Sequence, residues 1–275
     1  MPQETPPQPS VGAWLSPLLN WCAQMAIDPF TVLVPGAAAL VQRAGLCADS
    51  ARYVNSERLA KGLVLVLPGI EGAGFRAMGI RQGLCSLPAA APVVNWAGLL
   101  PGIWFVFSPR LQRRGLNRLL GMIRRYREEF PGRPVVLVGH SGGAAMAVNV
   151  AEVLGSTDPL AGIVCMSTPL HPDYDLSAAL AGVRCGIVSC HSSHDLQLAA
   201  MVAVGGNFDR QFGATAGHVG FRWQHPRLRQ IAWDRSMIGA GHWGGHTGWA
   251  SRAWIEQHIA PIVADWLDET PRLPG

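Results

Sequence analysis

Gly139-His140-Ser141-Gly142-Gly143 stands between an apolar run at 134–138 and a stretch of small residues at 144–150. The apolar run is typical of a buried strand, and the small residues indicate a helix packed closely against it. Serine is a weak nucleophile until the backbone lifts its hydroxyl out of the fold and a base lies beside it. The glycines two positions before and two positions after Ser141 allow such a sharp turn. We therefore predict a strand–turn–helix elbow that presents Ser141.

Apolar runs and helical patterns alternate along most of the chain. Strands are predicted over 61–67, 93–96, 134–138, 162–166, 184–190 and 229–233, and helices over 74–87, 117–130, 144–154 and 253–267. This alternation predicts an α/β fold with a mostly parallel central sheet and helices on both faces. Ligands in such sheets bind at the carboxyl ends of the strands. Each candidate residue below therefore comes from a segment that follows a strand.

An activated serine needs a histidine to take its proton and a carboxylate to orient that histidine. Asp195 follows the strand 184–190 and is our candidate for the orienting acid. The simpler interpretation is that Asp195 only caps the helix that starts near Leu196, which is a common position for aspartate. Asp173 and Asp175, after the preceding strand, are the alternative acids.

Two histidines compete for the role of base in the glycine-rich loop 239–249, between the last strand and the last helix. His246 lies nearer the helix and has glycines close on both sides, so its backbone can approach the sheet edge, and we favour it. His242 is the alternative, and either residue could simply be packed among tryptophans. The spacing of four would also suit a metal pair, but a glycine-rich segment is a poor helix and no third ligand adjoins, so no metal is expected.

The oxyanion of a tetrahedral intermediate needs two backbone donors. One is expected to be the N–H of Gly142, directly after the nucleophile, and the other the N–H of Ile70 in the glycine-rich loop 68–72.

These residues together resemble the α/β-hydrolase family over 60–270: the elbow at 139–143, the loop at 69–72, Asp195 and His246. More narrowly, the chain is similar to poorly characterised bacterial hydrolases with the same Gly-His-Ser-Gly-Gly elbow and a Gly-Gly-His-x-Gly-Trp ending. Pro68-Gly69 departs from the His-Gly that often stands at the oxyanion loop. The resemblance implies a Ser–His–Asp acyl-enzyme mechanism without a cofactor.

The leading hypothesis is a serine esterase that cleaves small-molecule or lipid carboxylic esters. The connection between the two strands 162–166 and 184–190 is too short for a large helical cap, so cover must come from elsewhere, and the apolar segment 196–206 is a candidate. Apolar cover favours a hydrophobic acyl group. An ordinary core helix is the other interpretation of this segment. An acyltransferase on the same fold and a non-catalytic, membrane-associated scaffold are the alternative functions.

The 275 residues divide into an apolar arm at 1–50 and an α/β-hydrolase domain at 51–275. The proline-rich start of the arm is expected to be disordered and its remainder helical. Because 5–42 carries one charge, Asp28, residues 11–42 are a candidate contact with a membrane surface or with another copy. The arginines at 110–127 lack interleaved aromatics, so no nucleic-acid partner is expected. Six dispersed cysteines favour a reducing compartment, and hence a cytoplasmic location, membrane-associated or not.

Overall fold

The structure is a computed structural model that describes residues 50–96 and 108–269, apart from the side chains of Ser50 and Val204. Almost all of the arm predicted at 1–50, and the loop at 103–107, lie outside these ranges. The division into an arm and a domain therefore stays a prediction.

The described strands form one five-stranded parallel sheet in the order β1-β2-β3-β4-β5. They are β1 Leu63–Leu67, β2 Val135–His140, β3 Leu160–Met166, β4 Val183–His191 and β5 Leu228–Ala232. Leu67 pairs with Gly139, and His140 pairs with Met166. The carboxyl ends are thus aligned, and the turns that follow them open on one edge of the sheet.

Helices cover both faces of the sheet. They are α1 Ser50–Tyr53, α2 Ser56–Leu59, α3 Phe75–Gly83, α4 Pro109–Glu129, α5 Gly142–Leu154, α6 Ser177–Ala181, α7 Leu196–Gly205, α8 Ala216–Val219, α9 Arg252–Trp254 and α10 Ala260–Asp268. A π-helical turn, Ile255–Ile259, joins α9 to α10, and short 3-10 helices lie at Gly155–Thr157, Arg235–Ala240 and His246–Ala250.

Two hydrophobic clusters hold these layers together. On one face, side chains of α4 and α5 such as Ile123 and Met146 pack against alternate strand residues such as Leu137. On the other face, α3, α9 and α10 pack against the intervening strand residues such as Val136. Strands buried on both faces read as continuous apolar runs, which is why the sequence reveals them so clearly. The predicted parallel sheet with helices on both faces is confirmed.

The path of the chain creates a crevice between β1 and β2. From β1 the chain runs through α3 to residues that bridge the outer side of β1, at Ala90 and Val93. It then returns through α4 to β2, on the other side of β1, and continues towards β3. Neighbouring strands whose connections leave in opposite directions open a crevice at their carboxyl ends, and ligands bind there. The turns after β1 and β2 carry Ile70 and Ser141.

The prediction of a regular strand over 93–96 is wrong. Only isolated bridges, Leu63 to Ala90 and Val66 to Val93, join this part of the chain to β1. Proline at position 92 supplies no N–H for a ladder at this edge of the sheet, which accounts for the interruption.

The absence of a large cap between β3 and β4 is confirmed, since the connection at 167–182 holds one five-residue helix, α6. Within 50–96 and 108–269, no helix combines the length and the apolar character that crossing a bilayer requires.

Candidate active site

Ser141 occupies a strained turn between β2 and α5. Its φ of 53° and ψ of −124° lie where L residues are rarely found, and its N–H donates to Met166 O at 2.8 Å. The neighbouring glycines are required by close approach: a Cβ at Gly139 would overlap the backbone of Gly143 and Ala144, and a Cβ at Gly143 would overlap Leu67 O. The elbow therefore depends on glycine at the two positions that the sequence analysis singled out.

Asp195 is fully buried at the start of α7 and accepts three hydrogen bonds. Its Oδ2 atom lies 2.8 Å from His246 Nδ1 and accepts from Ser167 Oγ at 2.6 Å. Its Oδ1 atom accepts from the N–H of Leu198 at 2.9 Å. The capping role and the pairing with histidine, which the sequence presented as alternatives, are thus performed by the two oxygens of one carboxylate.

Burial and charge set the ionisation of this pair. Burial alone would raise the pKa of Asp195, but the charge of His246 and the hydrogen bonds from His246, Ser167 and Leu198 outweigh it and lower that pKa from 3.8 to about 2. Burial lowers the pKa of His246, and the Asp195 carboxylate offsets part of this effect. Near pH 7 the pair therefore consists of a carboxylate and a neutral imidazole. Because Nδ1–H donates to Asp195, Nε2 keeps the lone pair that a base needs.

His242, the alternative base, is not paired with a carboxylate. Its Nδ1 accepts from the N–H of Gly244 at 3.1 Å, and its ring packs edge-on against Trp249 with centroids 4.1 Å apart. Burial lowers the pKa of His242 to about 3. This histidine therefore stays neutral inside an aromatic cluster. In the part of the chain that the structure describes, no three His, Cys, Asp or Glu side chains gather as a metal site would require.

The alternative acids have other partners at the surface. Asp173 accepts from Arg222 Nη1 at 2.6 Å, and Asp175 accepts from the N–H of Ser177 at 2.8 Å. The structure therefore brings Asp195, rather than either of these residues, to His246.

His140 connects the loop 239–249, which carries His246 and which we call the histidine loop, to the elbow. It directly precedes Ser141, is fully buried, and its Nε2 atom donates to the carbonyl of His246 at 3.0 Å. The rings of His140 and His246 lie 4.6 Å apart. Since His140 is covalently next to Ser141, this contact holds the backbone of His246 against the elbow, and within the described ranges no hydrogen bond joins the side chains of Ser141 and His246.

A buried ion pair lies on the other side of His140. The Glu71 carboxylate is 3.8 Å from Arg76 Nη1 and 3.7 Å from His140 Nδ1. Arg76 Nη2 in turn donates to Thr247 Oγ1 at 3.0 Å. Burial would raise the pKa of Glu71, but its contacts with His140 and Arg76 lower it from 4.5 to about 2. These charges join the turn after β1, the elbow and the loop of His246.

The candidate oxyanion donors lie on either side of Ser141. In the described ranges, no hydrogen bond is made by the N–H of Ile70, and the N–H of Gly142 belongs to the first turn of α5, where intrahelical acceptors are lacking. Trp96 braces this region, because its Nε1 atom donates to Pro68 O at 2.8 Å and its ring lies against Gly142.

A small apolar cavity of about 30 Å³ opens at Ser141. Ile70 and Gly142 line it on the side of the turn, and Leu198, Met201 and Val202 of α7 line it on the other side. The segment 196–206 therefore both packs into the fold through Leu198 and covers the serine.

Segments that follow β2, β4 and β5 thus meet at one edge of a parallel sheet and carry Ser141, Asp195 and His246, in that chain order. A serine elbow at the top of the sheet followed by an acid and then a histidine is the arrangement of one architecture. The chain has the α/β-hydrolase fold.

Solved structures with partial similarity to this fold include several hydrolases. An esterase of Pyrococcus furiosus is 9% identical, with 77% of this chain and 84% of that chain covered and a TM-score of 0.47. A cutinase-like protein from Cryptococcus is 15% identical, covering 75% and 95%, with a TM-score of 0.43. Mouse α/β hydrolase domain-containing protein 10 is 13% identical, covering 74% and 89%, with a TM-score of 0.44. No family model and no curated protein matches the sequence. At TM-scores below 0.5, the assignment of the fold rests on the sheet and the elbow.

Sequence reasoning missed the residues that support the site. Ser167, Glu71, Arg76 and His140 are buried polar residues, and each has a contact with a residue far away in the chain. Ser167 directly follows β3, so its place at the carboxyl edge could have been a signal. Glu71 lies inside the candidate oxyanion loop, and a charge in such a loop could have prompted a search for its partner.

Proposed function

We propose that the protein is a serine hydrolase that cleaves carboxylic esters with an apolar acyl group. The observation that carries this proposal is the 2.8 Å contact of His246 Nδ1 with Asp195 Oδ2, in a histidine loop joined to the serine elbow by His140. A buried neutral imidazole whose Nδ1–H is held by a carboxylate is suited to act as a general base.

In the acylation step, His246 Nε2 takes the proton of Ser141 Oγ as the oxygen attacks the ester carbonyl. The N–H groups of Gly142 and Ile70 hold the negative charge on the carbonyl oxygen of the tetrahedral intermediate. The intermediate collapses when His246 returns the proton to the alkoxide leaving group. An alcohol departs and the acyl group remains on Ser141.

Deacylation repeats these steps with water as the nucleophile. His246 takes a proton from the water as its oxygen attacks the acyl carbon, and the same two N–H groups hold the oxyanion. Ser141 leaves with the proton from His246, and the carboxylic acid is released. Asp195 stays ionised throughout and stabilises the imidazolium that forms in each step.

The cavity favours an acyl group without charge. Its walls include Ile70, Leu198 and Val202, and its volume of about 30 Å³ accepts little more than a methyl or ethyl group in the conformation described. Short esters should therefore enter most easily. Longer acyl chains would fit only if α7 moved or if one of its side chains at the cavity were shortened.

Replacement of the nucleophile is the direct test. Ser141→Ala should abolish hydrolysis of p-nitrophenyl acetate and butyrate and should abolish covalent labelling by a fluorophosphonate probe. Ser56→Ala, at an exposed serine in α2, is the matched control and should leave both signals unchanged.

Retained labelling of the Ser141→Ala protein would overturn the assignment of the nucleophile. Hydrolysis assays with added alcohol or thiol acceptors would also show whether the acyl group passes to water. If the acyl group passed mainly to the acceptor, acyl transfer would replace hydrolysis as the activity.

A further inference from the structure

A second, larger cavity lies away from Ser141, at the β1 edge of the sheet. Its volume is about 400 Å³, which falls in the range of small-molecule sites. We call it the edge groove and define it by Met78 and Arg81 of α3, Val93 and Asn95 of the edge segment, and Arg118 and Met122 of α4. It shares no lining residue with the cavity at Ser141.

Arg81 is the unusual residue of the edge groove. Its side chain is 6% exposed, yet in the described part of the chain it forms no ion pair, and its Nε atom has no hydrogen-bond partner. The ring of Tyr53 lies over the guanidinium, 4.2 Å from its carbon. An aromatic face and the carboxyl end of α3 supply partial negative charge to this cation. Neither of them accepts a hydrogen bond from Nε.

The other buried arginine of α3 differs from Arg81 in having a counter-charge. Arg76 lies 3.8 Å from the Glu71 carboxylate and donates to the hydroxyl of Thr247. Arg58, which is half-buried, donates to the carbonyls of Cys85, Leu87 and Ala89. A buried guanidinium without such acceptors is costly, because it loses its hydration and gains no counter-charge. An anion bound in the adjoining cavity would supply the missing counter-charge.

The remaining lining supports the same class of ligand. Arg118 reaches the edge groove from the facing helix α4, so two guanidinium groups border it, and none of its lining residues within 50–96 and 108–269 is Asp or Glu. Two arginines suit a planar carboxylate or a phosphate group, which accepts several N–H bonds at once. The other walls are apolar side chains, among them Met78, Val93 and Met122.

We propose that the edge groove binds an anionic amphiphile, with its carboxylate or phosphate head on Arg81 and Arg118 and its apolar tail on Met78, Val93 and Met122. This proposal goes beyond ester hydrolysis, since the edge groove and the serine cavity are separate. Binding is the quantity measured, so the result is independent of whether Ser141 is a nucleophile.

The test is calorimetric titration of the full chain with four probes. Octanoate and octyl phosphate should bind saturably with one site, while 1-octanol and inorganic phosphate, which lack the head and the tail respectively, should bind at least tenfold more weakly. If octanoate binds more tightly than octyl phosphate, the natural head group is a carboxylate. If octyl phosphate binds more tightly, it is a phosphate. Binding of 1-octanol as tightly as octanoate, or no saturable binding of either anion, would overturn the proposal.

Variants locate the binding. Arg81→Met and Arg118→Gln should each weaken the binding of the preferred anion at least tenfold, and Arg124→Gln, an exposed arginine of α4 outside the lining, should not. A carboxylate bound instead at Ser141, as a hydrolysis product would be, should be lost in a bulky Ser141 variant and not in Arg118→Gln. Unchanged affinity in both arginine variants of the edge groove would therefore refute the proposal.

Thermal stability provides a second measurement on the same variants. If Arg81 is kept for an anion, Arg81→Met should unfold, without ligand, at a temperature no lower than the wild type, because an uncompensated charge has been removed. A large fall in this temperature would show that Arg81 serves the fold and would count against the site. Arg118 is exposed, so Arg118→Gln tests the binding of the anion without altering the buried part of the fold.

Discussion

Among single residues, Ser167 joins the strained turn after β3 to the candidate acid Asp195. It follows β3 with a φ of 50°, its N–H donates to Cys190 O, and its hydroxyl donates to Asp195 Oδ2. One oxygen of Asp195 is thus shared between Ser167 and His246. We infer that Ser167 is a positioning residue, since it acts on the imidazole only through the carboxylate.

Ser167→Ala should lower kcat for p-nitrophenyl butyrate about tenfold with little change in KM, because it removes a hydrogen bond that orients Asp195. It should also move the acid limb of the pH profile. Burial places the pKa of His246 below its ordinary 6.5, so in the wild type kcat/KM should fall only below that pH. Without Ser167 the carboxylate carries more charge towards His246, which raises the imidazole pKa and moves the limb to higher pH.

Ser189→Ala is the matched control for this prediction. Ser189 is a fully buried serine on β4 whose Oγ has no hydrogen-bond partner in the described ranges. Its replacement should leave kcat and the acid limb as they are. If Ser167→Ala lowered kcat without moving the limb, Ser167 would be supporting the fold of the turn and not the charge of Asp195.

The residues of the site differ in how far the sequence could reveal them. Ser141 is marked by local chemistry, because glycines at fixed offsets determine the turn. Asp195 and His246 could be found from their positions in the chain, since each follows a strand that the sequence predicts. Glu71 and Arg76 carry no such local mark. They lie five residues apart, but their contacts with His140 and Thr247 depend on how α3 packs against the loop of His246, which a single sequence does not specify.

At the scale of elements, α7 has two functions that its apolar sequence alone could not separate. Leu198 is fully buried and anchors the helix, while Leu196 is 72% exposed and Met201 is half-buried at the cavity beside Ser141. In the proposed reaction, we expect the face of α7 that carries Met201 to limit the length of the acyl group. One side of α7 packs into the fold through Leu198, and the opposite side, with Leu196, faces solvent.

Met201→Ala should widen the cavity and shift the preference towards longer acyl chains. We expect the ratio of kcat/KM for p-nitrophenyl hexanoate over acetate to rise about tenfold, since each methylene accommodated is worth roughly 1–3 kcal/mol in an apolar pocket. Leu196→Ala, on the exposed side of the same helix, is the control and should leave this ratio unchanged. An equal change in the two variants would place the acyl group somewhere other than beside Met201.

The secondary structure was predictable where the apolar pattern was continuous. Strands β1 to β4 fall at largely buried apolar runs, whereas β5 is half-buried to exposed. The helix predicted at 117–130 is longer in the structure, as α4, because Ser108 caps it and Pro109 stands at its first position. The segment 93–96 failed as a strand because its pairing involves only one neighbour. The π-helical turn at Ile255–Ile259 has no signature in the apolar spacing, and it shifts the register of the closing helix.

In the molecule as a whole, the site is held together by one buried ion pair and its polar contacts with two distant segments. Glu71 belongs to the turn after β1, His140 to the end of β2, and Thr247 to the loop after β5. Arg76 of α3 contacts both Glu71 and Thr247. The turn after β1, the elbow and the loop of His246 are therefore coupled to one another, and the stability of the fold should depend on the ionisation of Glu71.

The pKa of Glu71 is lowered to about 2 in the folded protein, from an ordinary value of 4.5. Its charged contacts therefore stabilise the fold above pH 4.5, and this stabilisation is lost as the pH falls from there towards 2. Glu71→Gln should lower the free energy of unfolding at pH 7 by about 3 kcal/mol, since Arg76 loses its counter-charge. Urea denaturation at pH 7, 5 and 3 should show a smaller difference in unfolding free energy between variant and wild type at pH 3.

Glu57→Gln, which breaks the exposed 3.6 Å pair with Lys61, is the control and should change the unfolding free energy little at any pH. A Glu71→Gln deficit that stays constant from pH 7 to pH 3 would show that the shape of the side chain, and not its charge, couples the three segments.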